Sequence, residues 1–171
     1  MQEDVKEIVL SLGSNMMKFA GKGDNIEENK RKILKCIENK QALNKFKELV
    51  KNQGGDVSFI DDTSKFDKAK HIIPVVSETE GYVKSMNNEK IGYISSKLGA
   101  GRLHKEDDIN NRVGIIINKK IGDKVMVADV LGYIHADNYD IGVEAVEELK
   151  NCYEFSTDYI EKQKHILGIV K

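Results

Sequence analysis

The run KLGAGRLHKEDD, residues 97–108, holds the side chains of this chain best suited to chemistry. Gly99 and Gly101 come just before Arg102, with His104 and Lys105 close behind. Without a Cβ, glycine lets backbone N–H groups approach an anion closely, and the basic side chains supply the charge. The chemistry implied is anion contact, or a loop that closes over a cleft, with Arg102, His104 and Lys105 as the candidate residues. The plainer reading of the same glycines is the C-cap of a helix followed by a charged loop. The glycine spacing of a dinucleotide-binding turn is absent, and so is the Gly-Lys-Ser/Thr ending of a phosphate loop.

Elsewhere the reactive residue types are scattered. His71, His104, His135 and His165 show no i, i+4 pair with an intervening glutamate, so no metal site is expected. Ser11 and Ser14 flank Gly13 in SLGSN, a helical context without the G-x-S-x-G elbow of a serine nucleophile. Cys36 and Cys152 have neither the number nor the spacing of a disulfide framework or zinc site, and they read as packed rather than reactive. No catalytic residue and no cofactor is assigned, and a reduced, cytoplasmic chain is expected.

The elements that position the loop follow from periodicity. Val5, Ile8, Val9, Leu12, Met16 and Phe19 recur at steps of three and four, predicting a helix that ends near Gly21 or Gly23. Asp24 with Glu27 predicts a capping box opening a second helix. A third carries Leu43, Phe46, Leu49 and Val50 and stops at Gly54-Gly55. Residues 56–70 are polar and aperiodic, a surface connector. The period then shortens. HIIPVV, GYVKSMN, RVGIIIN and DVLGYIHA predict strands, EKIGYISSKLGAG a helix ending at Gly99 or Gly101, and KKIGDKV a turn at Gly122-Asp123. A last helix carries Val143, Val146 and Leu149, followed by FSTDYI and HILGIV as short strands. The expected class is α+β: a helical segment over 1–55, a connector over 56–70 and a mixed domain over 71–171. The three amphipathic helices can hardly bury their apolar faces on one another, and they resemble the tail of a larger unit.

With 40% hydrophobic and 32% charged residues among 171, the chain can bury a core. Its net charge of −1, with both signs interleaved, gives no field favouring nucleic acid or an anionic membrane, so neither partner is expected. No apolar run approaches the roughly 20 residues of a membrane span, and the amino terminus lacks the basic start of a secretory signal.

IINKKIGDKVMVADVLGYIHADN resembles the half-barrel of biotinyl and lipoyl carrier domains. The hairpin expected at His135-Ala136-Asp137-Asn138 offers no lysine to acylate. A carrier-like or interaction module without that lysine is the alternative reading. Four stretches in order carry a more specific likeness: VLSLGSNMMKFAGK, ALNKFKELVKNQGGD, IGYISSKLGAGRLHKEDDI and VGIIINKKIGDKV. On these the chain resembles the carboxy-terminal part of the pyrimidine-nucleoside phosphorylases, the family that includes thymidine phosphorylase. Leu103 and His104 stand where relatives more often have small residues or Thr, and VMVADVLGYIHADN replaces a commoner Lys/Gly-rich turn.

The resemblance implies an α/β hammerhead, barrel-sandwich-like, for 71–171, with 1–55 as the helical end of the larger α/β domain. It implies reversible phosphorolysis of uridine or thymidine by the complete enzyme, a homodimer acting on nucleoside and phosphate. The family's Lys-His-Ser-Thr-Gly-Gly phosphate signature occurs nowhere in these residues. The phosphate and base ligands are therefore expected upstream, and the 171-residue chain is expected to be inactive and prone to self-association. In this reading the loop at Arg102, His104 and Lys105 faces the interdomain cleft and makes closure contacts.

Overall fold

In the computed structural model, which describes residues 2–162 and 164–170, the first periodic segment is the helix α1 (Glu3–Phe19). Glu3 and Asp4 in its first turn and Lys18 in its last complement the helix dipole. The second helix, α2 (Ile26–Glu38), begins one residue later than a capping box at Asp24 would place it. Asn25 has the extended backbone of an N-cap, φ −85° and ψ 110°, and its side chain accepts the N–H of Glu28 at 3.0 Å. Asp24 and Asn25 are both good caps, and backbone conformation rather than residue type selects between them. The third helix, α3 (Gln41–Asn52), stops before Gly54, whose φ of 79° is the left-handed conformation that glycine adopts readily. The polar stretch after it contains a short α-helix, α4 (Ser58–Asp61), with Asp61 paired to Lys47 of α3, and a 3-10 turn at Thr63–Lys65.

α1 and α2 meet at Gly13, where an added Cβ would lie 2.8 Å from Cδ1 of Ile33. Beside this contact the Asn29 amide donates to the carbonyls of Ser14 (3.2 Å) and Gly23 (2.8 Å), tying the α1–α2 connection to α2. Ser14 and Asn29 are the only fully buried side chains among the described residues of 1–65 and 164–171. The chain divides into two compact units, and this helical one comprises Met1–Lys65 with Lys164–Lys171. HILGIV forms no strand: Leu167 and Val170 are fully exposed, so neither of its faces finds a sheet to join.

The second unit, Phe66–Gln163, is built on two three-stranded antiparallel sheets. Strands β1 (His71–Val76) and β3 (Gly114–Ile117) flank β5 (Val130–Ala136) in one sheet. In the other, β4 (Lys124–Val125) and β6 (Tyr153–Ser156) flank β2 (Gly81–Met86). Helix α5 (Asn88–Lys97) follows β2, and α6 (Tyr139–Lys150) follows β5. This is the α+β class expected from the sequence. FSTDYI is a strand only as far as Ser156. The segment expected as a hairpin, His135–Asn138, is a strand-to-helix junction in which the Asn138 side chain caps α6 by accepting from Asp140 and Ile141 N–H.

Ile134 and Ala136 alternate inward along β5, and Leu131, outside that period, is buried as well, together with Val75, Val83, Ile94, Val125 and Leu149. Tyr153 is buried beside them, its hydroxyl within hydrogen-bond reach of the carbonyls of Lys119 (3.1 Å) and Leu131 (3.3 Å). Burial pushes this phenol up to about 12. Cys152 is likewise buried, just past the end of α6, and desolvation raises its thiol. Cys36 lies in α2 and is half-buried. Among the described residues no helix is long and apolar enough to cross a membrane.

Candidate functional site

The charged loop leaves α5 through Gly99, whose φ of 102° turns the chain sharply. The Gly99 N–H donates to the Ser96 carbonyl and the Ala100 N–H to that of Ser95, ordinary C-terminal bonds of a helix. Gly101 packs so closely on Ser96 that a Cβ would come 2.5 Å from its Oγ. These glycines therefore do solve a backbone problem, as the plainer reading of them requires. The base of the loop closes where the Asn110 N–H donates to the Gly99 carbonyl at 2.9 Å.

At the tip the organising residue is Asp107. One of its carboxylate oxygens accepts the N–H groups of Leu103 (2.9 Å) and His104 (2.8 Å), and the His104 imidazole stands 3.6 Å from the same oxygen. The backbone bond from His104 leads the effects that hold this carboxyl below its ordinary range. Arg102 donates through Nε to the Asp107 carbonyl at 3.1 Å. The structure thus gathers Arg102 and His104 around one acidic residue and leaves both exposed, with the His104 side chain 81% accessible. Lys105 is exposed beside them.

A second carboxylate, missed in the sequence reading, holds the base of the loop. Asp137 accepts from the Asn110 amide and from Arg112, both at 2.9 Å, and from the backbone N–H of Lys70 at 3.0 Å. The Asn110 bond leads the effects that hold its carboxyl low. Asp137 lies 27 residues from Asn110 and 67 from Lys70, so no local spacing rule connects them. The one available signal was the Asp-Asn pair ahead of the apolar period of α6. Lys97 and Glu148, 2.7 Å apart, join α5 to α6 close by.

The other candidates stay apart. His71 meets the ring of Tyr139 edge-on at 5.4 Å, His135 lies within β5, and His165 pairs with Glu7 at 3.2 Å. Among the described residues no three His, Cys, Asp or Glu side chains converge as metal ligands. Ser11 and Ser14 sit inside α1, where the Ser14 hydroxyl donates to the Ser11 carbonyl.

Residues 82–156, which include the whole loop together with Asp107 and Asp137, match the pyrimidine nucleoside phosphorylase C-terminal domain family. Curated relatives include pyrimidine-nucleoside phosphorylases of Staphylococcus aureus strains bovine RF122 / ET3-1, USA300 and NCTC 8325 / PS 47. Each is 43% identical over 139 residues, covering 81% of this chain and 32% of the relative. The chain spans about a third of the length of these relatives. On this evidence of sequence and domain it belongs with the C-terminal part of the pyrimidine-nucleoside phosphorylases.

Proposed function

We propose that the chain serves reversible phosphorolysis of pyrimidine nucleosides as the C-terminal part of a complete cytoplasmic, homodimeric enzyme. The observation that carries this reading is 43% identity to phosphorylases over 81% of the chain. In that reaction inorganic phosphate attacks C1′ of uridine or thymidine, the bond from C1′ to the base breaks, and a pentose 1-phosphate forms as the base takes up a proton. Positioning and charge stabilisation supply most of the catalysis in such a displacement. Residues 71–171 are the C-terminal domain in this reading, 56–70 its connector, and 1–55 the helical end of the larger domain.

The role of this region is then to present the loop at Gly99–Asp108 to a closing cleft. Arg102 carries a planar, permanently charged fork and Lys105 a mobile point charge, and both are exposed, as closure contacts require. His104 shares the tip. No proton transfer is asked of any of them. The 171 residues by themselves lack the family's phosphate signature and are inactive, because residual binding cannot replace transition-state contacts.

Release of uracil or thymine in phosphate buffer tests the reading. The isolated chain should show none, and turnover that follows it through purification would contradict its inactivity. In the complete enzyme Arg102→Ala with Lys105→Ala should lower kcat, while stability changes by less than about 1 kcal/mol, as for exposed charges. Unchanged kcat and kcat/KM in that double variant would remove the loop from the mechanism.

A further inference from the structure

We propose that Asp137 is a positioning residue for phosphorolysis: through Asn110 and Arg112 its carboxylate fixes the returning limb of the loop, and so sets where Arg102 and Lys105 stand as the cleft closes. This role presupposes the closure contacts proposed above for those two residues. The two limbs of the loop are held in different ways. The outgoing limb continues α5, whose last-turn carbonyls accept the N–H groups of Gly99 and Ala100. The returning limb, residues 108–113, belongs to no helix or strand before β3 begins at Gly114. Its place depends on side chains. Asn110 sends its backbone N–H to the Gly99 carbonyl and its amide to Asp137 Oδ2, both at 2.9 Å, while its Oδ1 accepts the Arg112 N–H at 3.1 Å. Both limbs are thereby referred to one carboxylate.

Asp137 stands between Ala136, the buried last residue of β5, and Asn138, which caps α6, so it is set on the frame of the domain. Its Oδ1 accepts the N–H of Lys70 at the entry to β1, and its Oδ2 takes both Asn110 and the Arg112 guanidinium. The Asp137 side chain is only 21% accessible, and charge-assisted bonds in such shelter hold geometry better than neutral ones. At the tip, by contrast, the bonds from Leu103, His104 and Arg102 to Asp107 all run within the loop. They keep its shape but not its place. A tip that moves as one piece follows its base, so a small shift at Asn110 is carried to Arg102 and Lys105, and reaction rates are steeply sensitive to such misplacement. Asp137 touches no reacting atom and acts through the loop.

Steady-state phosphorolysis of uridine by the complete enzyme tests this. Asp137→Ala should lower kcat and kcat/KM together by roughly tenfold with KM little changed, the pattern of an interaction realised only in the transition state. Should that variant not fold, Asp137→Asn, which keeps an acceptor for Lys70 and loses the charge, takes its place. Exchanging the pair, Asn110→Asp with Asp137→Asn, should restore most of kcat, because a carboxylate at 110 meets both the amide at 137 and the Arg112 guanidinium. In the Arg102→Ala, Lys105→Ala enzyme the Asp137 change should cost less than about twofold more, since residues that act as one unit are not additive. A loop variant that is slow beside an Asp137 variant of full kcat would overturn the positioning role alone. So would a full further loss in the combined enzyme, the mark of a merely structural residue, or an exchange that leaves kcat low. Unchanged kcat in the Arg102→Ala, Lys105→Ala enzyme itself would instead remove the closure role on which Asp137 depends.

Discussion

The two units use the same kind of sequence pattern to different effect. In the unit spanning Phe66–Gln163, apolar residues at strand and helix periods close on one another, so that Val75, Val83, Ile94, Val125, Ile134 and Leu149 lose all contact with water. In the helical unit the periodicity of α1 is just as regular, yet Leu12, Met16 and Phe19 stay exposed and the fully buried side chains are the polar Ser14 and Asn29. An apolar stripe thus states that a face is meant to be covered, but it does not state by what. Its stabilising value exists only once a partner surface removes it from water.

Substitution of one leucine in each unit sharpens the contrast most. Leu149→Ala should cost about 2–5 kcal/mol, the range for deleting a buried leucine and leaving a cavity. Leu12→Ala in dilute solution should stay within about 0.5 kcal/mol, as a surface change does. Urea unfolding followed by circular dichroism measures both, and similar costs at the two sites would erase the distinction between the units.

A smaller effect is expected at Tyr153. Its phenol ionises near 10 in an unfolded chain and at about 12 in the fold, so the folded state holds the proton more tightly. That contribution is complete below about pH 10 and is lost as pH rises from there through about 12. Tyr153→Phe should cost about 0.5–1.5 kcal/mol at neutral pH through its lost hydrogen bonds. It should also flatten the alkaline decline, which stability measurements between neutral and strongly alkaline pH would reveal. An alkaline profile identical to that of the parent would show that other groups control it.

The smallest change should be a gain. Ala128 sits at φ 69° in the turn joining β4 to β5, where an alanine Cβ crowds its own backbone. Ala128→Gly relieves that crowding but frees the unfolded chain, leaving a net stabilisation of about 1 kcal/mol or less. A loss of thermal stability instead would mean that the alanine methyl packs to more purpose than its conformation costs.

Most elements of the α+β unit were legible because their signals are local. The β-branched run before Asn118, the glycine after α5 and the apolar period of α6 each fix a segment without reference to the rest of the chain. β4 escaped because two residues carry no period. HILGIV misled because an apolar, β-branched run becomes a strand only when an edge is there to pair with it. At the loop, Arg102, His104 and Lys105 stood out by type and composition. Asp107 and Asp137, which hold the tip and the base, read as two more acidic residues in a chain with 28 of them, because their significance lies in which N–H groups converge on them.

The helical unit is interrupted in sequence: residues 66–163 intervene before Lys164–Lys171 join it. During synthesis its helices emerge before residues 66–163 do, yet the pairing of His165 with Glu7, 158 residues apart, must wait until those intervening residues have been made. The intervening unit is continuous and can settle as soon as it has emerged. The helical unit is therefore completed only after the unit that interrupts it, and its apolar helix is open to chaperones, or to a neighbouring nascent chain, for that whole interval.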